Sequence, residues 1–284
     1  MKTWDYAASG GSRKETGCCS LDSINDAREV AVGLGFPHFI LDIREHFGES
    51  VIDYFVDEYM AGRTPNPCVM CNTHIKWDAL LRRADQLGCE KIATGHYARL
   101  GRTEEGRRFV LCGDDANKDQ SYVLWGLSQS SLDRTLFPMG SYTKNEIRQM
   151  AQDRGYRSLV TKPESYEICF VPDNDYRGFL KRRVPGLEEQ VRGGEFVNMS
   201  GDPIGLHQGY PFYTVGQRKG LETAFGTPKY VVSIDAQRNR VVLGDLEDLD
   251  RRTMRVGQVN WQKIDALPKD GLDALVKIRY KDPG

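Results

Sequence analysis

Residues 72–94 read NTHIKWDALLRRADQLGCEKIAT, and this stretch predicts a helix followed by a buried strand. Asn72 is a suitable N-cap and Gly88 a suitable C-terminal residue for the helix. The short apolar run over 91–94 is typical of a strand in a parallel sheet. The apolar side chains that recur at helical spacing are Ile75, Leu80, Leu81, Ala84 and Leu87.

The same alternation of helix and strand extends towards the N-terminus. Apolar periodicity predicts helices over 20–34 and 51–60, with a short strand over 38–43 between them. Strands separated by helices of this length imply a parallel sheet with right-handed crossovers. The first half of the chain is therefore predicted to be an α/β domain.

The pattern changes after residue 100. We predict a hairpin over 99–112, a helix over 143–154 with a capping box, and a short basic helix over 174–183. From about residue 193, short strands separated by Gly and Pro indicate a small β domain or two. We place the first domain boundary near Pro172. The predicted strands cover 195–198, 210–215, 230–234, 240–243, 254–259 and 275–280.

Length and composition narrow the class of protein. A chain of 284 residues is enough for about two domains. The 39 Lys and Arg residues balance 40 Asp and Glu residues, which excludes a histone-like polyelectrolyte but leaves room for a local basic patch. No apolar run approaches the roughly eighteen residues that a membrane-spanning helix needs, and no secretory signal is visible. We therefore expect a cytoplasmic protein without a membrane span. The number of cysteines is odd, at seven, which argues against a disulfide scaffold in a chain of this length.

The densest group of chemically distinctive residues is GRTPNPCVMCN over 62–72. Cys71 lies directly before the predicted helix, where unpaired backbone N–H groups lower the pKa of a thiol. The alternative is a structural cysteine in a tight loop. Cys68 and Cys71 also form a C-x-x-C pair, which indicates redox or metal chemistry in a cytosolic protein.

Cys169 is a plausible third sulfur. Three thiolates from Cys68, Cys71 and Cys169 are enough to hold an iron–sulfur cluster with one open iron. A structural zinc site is weakly supported, because it needs two more ligands than the C-x-x-C pair supplies. The residues alone do not choose between a cluster and persulfide chemistry on the thiols.

Two further segments carry polar groups at places where ligands bind. The run Thr94-Gly-His-Tyr-Ala98 follows a predicted parallel strand, and ligands of such sheets bind beyond the carboxyl ends of the strands. Short basic clusters at 181–183, 217–219 and 279–281 indicate a local phosphate-binding surface. The aromatic residues Tyr210, Phe212 and Tyr213 either stack on nucleobases or belong to a core.

Together these segments resemble one family, the tRNA-specific 2-thiouridylases (MnmA, also called TrmU). The resemblance runs in family order along the whole chain and is specific as a set, although each segment is weak alone. The matching segments are Met1–Asp5, Gly62–Asn72, Thr94–Ala98, Lys118–Tyr122, Ile168–Phe170, Gly216–Gly220 and Lys277–Tyr280.

The resemblance implies a fold and a reaction. It implies a doubly wound parallel-sheet ATP-pyrophosphatase (PP-loop) domain of α/β class over 1–172, a small central domain over 173–246, and the beginning of a C-terminal β-barrel over 247–284. In the family, ATP with Mg²⁺ adenylates the C2 oxygen of the wobble uridine in the tRNAs for Lys, Glu and Gln. A persulfide sulfur then replaces that oxygen.

The resemblance also assigns roles by position. Cys169 matches the persulfide carrier, and Cys71 matches the nucleophile that attacks or reduces the persulfide, so a disulfide bond between reactive cysteines is part of the expected chemistry. The loop that contacts the target base is Asn66, Pro67 and Cys68. Residues around the adenine nucleotide are Met1 and Gly95, and tRNA-contacting positions are His96, Lys118, Asp119, Gln120, Arg279 and Tyr280. Expected partners are tRNA and a persulfide carrier protein, for a monomeric enzyme.

Three features depart from the family pattern. The phosphate loop Ser-Gly-Gly-x-Asp-Ser is absent, so we expect Met1 to be an internal Met that the first strand and this loop precede in the family. The chain also stops early in the β-barrel, at Gly284. Cys68 stands where many members have Asp. Two alternatives follow: a tRNA-binding fragment without catalysis, and an iron–sulfur-dependent thiolation enzyme that uses the three cysteines.

Overall fold

The computed structural model describes residues 1–4, 20–161, 168–171, 173–221 and 226–278. Helix α1 spans Leu21–Gly33, and the Ser20 side chain caps it by accepting a hydrogen bond from the backbone N–H of Ser23. Its predicted bounds are confirmed. The predicted apolar face is mostly solvent-exposed, with only Ala31 buried.

Two long helices form the centre of the first half. The first runs through α2 (Arg44–Phe47), a π-helical stretch (Gly48–Ile52) and α3 (Asp53–Met60). The second runs through α4 (Pro67–Met70), a π-helical stretch (Cys71–Lys76) and α5 (Trp77–Gln86). Both were predicted, but each begins several residues earlier than its apolar periodicity indicates.

Parallel pairing among the described residues of the first half is limited to short contacts. Strand β1 (Ile92–Ala93) pairs in parallel with β4 (Thr135–Leu136), and Lys2 forms a parallel bridge with Asp42. Among the described residues, the predicted strand over 38–43 is therefore reduced to this one bridge. The α/β character of the first half is confirmed. The doubly wound parallel sheet stays a prediction, because the described residues of this half show only these short parallel pairs.

The predicted hairpin over 99–112 and the predicted helix over 143–154 are confirmed. Strands β2 (Ala98–Arg102) and β3 (Arg108–Cys112) pair antiparallel. After α6 (Gln129–Asp133), helix α7 (Lys144–Asp153) begins with the predicted capping box between Thr143 and Glu146. The short helix α8 (Arg157–Val160) follows.

The second half contains two helices and a four-stranded mixed sheet. The helices are α9 (Tyr176–Arg183) and α10 (Leu187–Gln190). The sheet order is β6-β5-β8-β7, in which β5 and β8 are parallel and the outer pairs antiparallel. The strands are β5 (Gly194–Val197), β6 (Pro203–His207), β7 (Tyr230–Asp235) and β8 (Arg240–Gly244). The pattern missed β6 because its pairing residues include Pro and Gly.

Two predicted strands are wrong, and the described part of a third is not a strand. Residues Tyr210–Phe212 form a 3₁₀ turn, since Pro211 removes a ladder donor and Tyr210, Phe212 and Tyr213 are all buried rather than alternating between two faces. Residues 254–259 are irregular, as is the described part of 275–280.

Residues 260–265 instead bind the β2–β3 hairpin and its surroundings. The Gln262 side chain donates to the carbonyl oxygens of Leu124 and Trp125 at 3.1 and 3.0 Å and accepts from the Val110 N–H at 3.0 Å. Arg107 donates to the carbonyl oxygens of Trp261 and Gln262. This segment is therefore held by hydrogen bonds rather than by a β ladder.

Two buried apolar clusters hold the protein together. The smaller one lies under α5, the β2–β3 hairpin and α6, and includes Trp77, Leu124 and Leu132. The larger one joins the α2–α3 helix to the second half, through Phe55, Phe170 and Phe196 among others. Cys71 belongs to this larger cluster, and so does Phe170, the residue that follows Cys169.

Candidate active site

The loop over 61–66 connects the two long helices and is fixed at both ends. The Tyr210 hydroxyl donates to the Met60 carbonyl oxygen at 2.7 Å, where α3 ends. Gly62 takes a left-handed conformation with φ of +73°, which a side chain would strain. Asn66 then precedes the buried Pro67, the first residue of the next helix. Pro is favoured there because its missing N–H has no helical acceptor.

The helix begins at Pro67, so the prediction that Cys71 directly precedes it is wrong. The backbone N–H of Cys71 donates to the carbonyl oxygens of Cys68 and Pro67, which places Cys71 beyond the first turn. Its side chain is 6% exposed and belongs to the larger core. The effect of the helix start on a thiol fades within one turn, so it favours Cys68 instead.

Cys68 occupies the first turn and is exposed. Desolvation by the surrounding protein raises the pKa of its thiol, and the positive charge of Lys76 acts in the opposite direction. Lys76 also affects His96, whose pKa it helps to lower. The charge of Lys76 therefore acts on two predicted site residues, although the sequence analysis missed Lys76. Its position eight residues after Cys68 was the available signal, since that spacing shares a helix face.

Asn72 is not the predicted helix cap. It lies inside the helix, is 2% exposed, and donates through Nδ2 to the Val123 carbonyl oxygen at 3.3 Å. Its Oδ1 is buried and accepts no hydrogen bond from the described residues. Asn72 thus connects the helix that carries the cysteines to the 3₁₀ turn at Ser121–Val123.

Cys169 lies on a turn that is anchored in the core. The Val171 N–H donates to the Ile168 carbonyl oxygen at 2.9 Å, which closes the turn. Phe170, 1% exposed, packs against Phe55 and Phe179 with ring centroids 5.1 and 5.4 Å apart. Cys169 itself is exposed. The turn therefore presents a thiol at the surface while both residues that follow it are buried.

The structure brings Cys71 and the Cys169 turn to the same core. Cys71, Phe170 and Val171 are all members of the larger cluster, and Met1 and Ile168 pack against its edge. A buried thiol and an exposed thiol beside one core are suited to a reaction in which one sulfur loads from solution and the other acts inside the protein.

The three cysteines do not form a metal site. Across the residues described, no group of three or more His, Cys, Asp or Glu side chains is arranged to hold a metal ion. Cys68, Cys71 and Cys169 all lie within those residues, so the predicted iron–sulfur cluster finds no support. A cluster needs all three sulfurs around it at once, whereas Cys71 is buried in the core and Cys68 and Cys169 are both exposed.

The carboxyl end of β1 leads to Gly95 and His96. Gly95 is exposed, and a Cβ built on it would meet no atom within 4 Å, so there is room for a ligand against the backbone. The His96 ring lies 5.5 Å from that of Trp77, and its Nδ1 is 3.0 Å from the Thr94 hydroxyl. Burial first, and the Lys76 charge second, lower the pKa of His96 to about 3, so the imidazole is neutral.

Two of the predicted tRNA-contacting residues are bound within the protein. The Asp119 carboxylate, 6% exposed, accepts from the Gly113 N–H at 2.9 Å and the Ser121 hydroxyl at 2.8 Å. Gln120 accepts from the Tyr97 N–H at 3.0 Å and donates its own N–H to the Tyr97 carbonyl oxygen. They fix the loop on which Lys118 lies. Arg279 and Tyr280 fall outside the described residues.

The predicted basic surface is only partly available. Lys181 pairs with Glu188 at 2.7 Å and Arg183 pairs with Asp53 at 2.9 Å, so these charges of α9 are already neutralised. The aromatic residues Tyr210, Phe212 and Tyr213 are core residues, which excludes the stacking alternative for them.

A cleft that the sequence analysis missed lies between residues 42–46 and the helix after Cys71. It is small, with a volume of about 100 Å³, and is partly open to solvent. Its lining combines two imidazoles and a guanidinium with one carboxylate and apolar side chains: Asp42, Ile43, His46, His74, Ile75, Ala79 and Arg82. No simple spacing links its two sides, so only the fold reveals it.

Comparison with known proteins places these features in a family. A model described as the tRNA methyl transferase HUP domain matches residues 1–173, and one described as the tRNA methyl transferase PRC-barrel domain matches residues 177–245.

No helix in the described ranges is both long and apolar enough to cross a bilayer.

Curated proteins match over the whole chain. The chain is 66% identical to a tRNA-specific 2-thiouridylase MnmA of Amoebophilus asiaticus over 284 residues, which is 100% of this chain and 75% of that protein. It is 62% identical to the protein of the same name from Cytophaga hutchinsonii, with 100% and 77% covered. For that of Salinibacter ruber the identity is 56%, with 100% and 74% covered.

Proposed function

The chain belongs to the tRNA-specific 2-thiouridylase family, and from that premise we propose that it is an ATP-dependent tRNA sulfurtransferase. It replaces the C2 oxygen of the wobble uridine in the tRNAs for Lys, Glu and Gln with sulfur. The sulfur comes from a persulfide on Cys169, and Cys71 is the nucleophile that releases it.

One observation carries the assignment of the two cysteines. Cys169 is exposed on a turn whose next residue, Phe170, lies in the core that also contains Cys71. A carrier thiol must be accessible to load a sulfur atom from a donor protein, and a releasing thiol is best shielded from that donor. The two cysteines meet both needs, because Cys169 is exposed and Cys71 is buried.

The reaction follows from thiol–disulfide chemistry. Adenylation makes the C2 oxygen part of a good leaving group, AMP. The Cys71 thiolate attacks the Cys169 sulfur of the persulfide, forms a Cys71–Cys169 disulfide and expels hydrosulfide, which adds to C2 and displaces AMP. If the terminal persulfide sulfur attacks C2 first, Cys71 then cleaves the resulting S–S bond and leaves the same disulfide.

ATP is a substrate of this reaction, and the end of β1 suits its binding. Space against the exposed Gly95 backbone allows close approach of a nucleotide, and ligands of parallel sheets bind at such strand ends. Met1 packs on the core edge near the cysteines. Mg²⁺ enters with the phosphate groups, as is usual for nucleotide substrates, so it requires few protein ligands.

The remaining assignments complete the proposal. Asn66, Pro67 and Cys68 contact the target base at the start of the helix. Neutral His96, Lys118, Arg279 and Tyr280 contact tRNA, while Asp119 and Gln120 hold the loop that carries Lys118. The domains are the PP-loop domain over 1–172, the central domain over 173–246 and a C-terminal segment over 247–284. The enzyme acts as a cytoplasmic monomer that receives sulfur from a persulfide carrier protein.

The test is thiolation of unmodified tRNA with Mg-ATP and a persulfide source, followed by mass spectrometry of the nucleosides. We expect 2-thiouridine that depends on ATP and is lost in Cys71→Ala and Cys169→Ala. Cys89→Ser is the matched control, since Cys89 is an exposed thiol on the loop after α5. Binding of tRNA without thiolation would favour a non-catalytic binding protein, and a methylated nucleoside would favour methyl transfer.

A further inference from the structure

We propose that Cys68 is a resolving thiol that attacks the Cys71 sulfur after each sulfur transfer. This inference rests on the proposed function, which leaves a Cys71–Cys169 disulfide. The Cys68 thiolate forms a Cys68–Cys71 disulfide and releases Cys169 as a thiolate. The two cysteines, Cys68 and Cys71, then form a redox-active pair at the start of one helix.

The helix geometry places the two cysteines within reach of each other. Cys71 donates its backbone N–H to the Cys68 carbonyl oxygen, so they are three residues apart on one helical turn. Such residues have Cβ atoms roughly 5–6 Å apart, and a disulfide needs roughly 3.5–4.5 Å. The first turn must therefore tighten by about 1–2 Å. A π-helical stretch begins at Cys71, and such stretches mark places where helical hydrogen bonds rearrange.

Access explains why an internal thiol is needed. Cys71 is 6% exposed, so a reductant from solution has little access to its sulfur. A solution thiol that attacks the exposed Cys169 instead leaves a mixed disulfide on the residue that must accept the next sulfur. Attack by Cys68 at Cys71 avoids this outcome, because the leaving group is Cys169 itself.

The electrons balance without a new oxidant. One S–S bond breaks as another forms: Cys68 is oxidised, Cys71 stays at the disulfide level, and the electron pair of the broken bond leaves on Cys169 as a thiolate. The Cys68–Cys71 disulfide is then reduced by a thiol of low molecular mass or a dithiol protein, which attacks the exposed Cys68 sulfur. Desolvation raises the pKa of the Cys68 thiol, and the Lys76 charge offsets part of that increase.

The first experiment identifies the disulfide left after a single turnover. The protein is loaded with persulfide, given Mg-ATP and unmodified tRNA without reductant, quenched with an alkylating agent and digested for mass spectrometry. Per mole of 2-thiouridine, we expect Cys68–Cys71 to be the main disulfide in the wild type and Cys89→Ser proteins, and Cys71–Cys169 to replace it in Cys68→Ser. A main Cys71–Cys169 disulfide in all three proteins would overturn the proposal.

A second experiment needs no activity, so it separates this inference from the proposed function. The protein is equilibrated in glutathione redox buffers without tRNA or ATP, and the disulfides are mapped across the titration. We expect the Cys68–Cys71 disulfide in the wild type and its complete loss in Cys68→Ser. If Cys68 stays reduced while Cys71 is oxidised with Cys169, Cys68 is not the resolving thiol. Absence of 2-thiouridine in the first experiment would count against the proposed function alone.

Discussion

Replacement of Phe170 by Ala tests whether the Cys169 turn is held by the core. The Phe170 side chain is 1% exposed and makes ring contacts with Phe47, Phe55 and Phe179 at 5.8, 5.1 and 5.4 Å. Removal of a fully buried Phe side chain costs about 3–5 kcal/mol, as lost burial plus the cavity left behind. We therefore expect the free energy of unfolding to fall by about that amount.

The assay is urea unfolding followed by far-ultraviolet circular dichroism. With a slope of about 3 kcal/mol/M, the midpoint falls by about 1–1.7 M. Phe36→Ala is the matched control, because Phe36 is 53% exposed and its loss changes stability by about 0.5 kcal/mol or less. Phe170→Leu keeps a branched apolar side chain in the site, so its loss is smaller than that of Phe170→Ala. If Phe170→Ala unfolds at the same urea concentration as Phe36→Ala, the turn is not anchored as described.

Three other predictions concern the surroundings of the site. The pKa of His96 is lowered to about 3 in the folded state, whereas its unfolded value is near 6.5, so the protein loses stability as the pH falls below 6.5. The free energy of unfolding falls by about 2 kcal/mol at pH 5 because of this residue. Urea unfolding across pH measures the loss, which is absent in His96→Gln. Gln262→Ala removes the hydrogen bonds to Val110, Leu124 and Trp125 and is expected to cost about 2 kcal/mol and to speed amide exchange at Val110, while Lys269→Ala, at an exposed position, has no effect. Thr143→Ala breaks the capping box of α7 and is expected to cost about 1 kcal/mol, and an unchanged thermal midpoint would contradict the cap.

Local signals in the sequence predicted the elements whose stabilising contacts are local. The capping box at Thr143 lies within one turn, and the β2–β3 hairpin pairs neighbouring segments. Apolar periodicity found both long helices. It placed their starts too late, because the first turns of each contain residues that the periodic stripe does not include. Pro67 was the signal for the true start of the second helix, since Pro is favoured at the first helical position.

Contacts between distant segments were not predictable from one sequence. Gln262 bonds to backbone carbonyl oxygens more than a hundred residues away, and any polar residue has the same donors and acceptors. The burial of Cys71 and the exposure of Cys169 likewise depend on the core around Phe170, which draws side chains from both halves. The sequence pattern identified the cysteines, and the fold assigns them different environments.

The order in which sulfur moves is the central claim, and isotope labelling tests it most directly. The protein is incubated with a persulfide donor that carries heavy sulfur, and the label is located by peptide and nucleoside mass spectrometry before and after Mg-ATP and tRNA are added. We predict label on Cys169 first and in 2-thiouridine afterwards, with the label retained on Cys169 in Cys71→Ala. Labelled 2-thiouridine from Cys169→Ala would contradict the account.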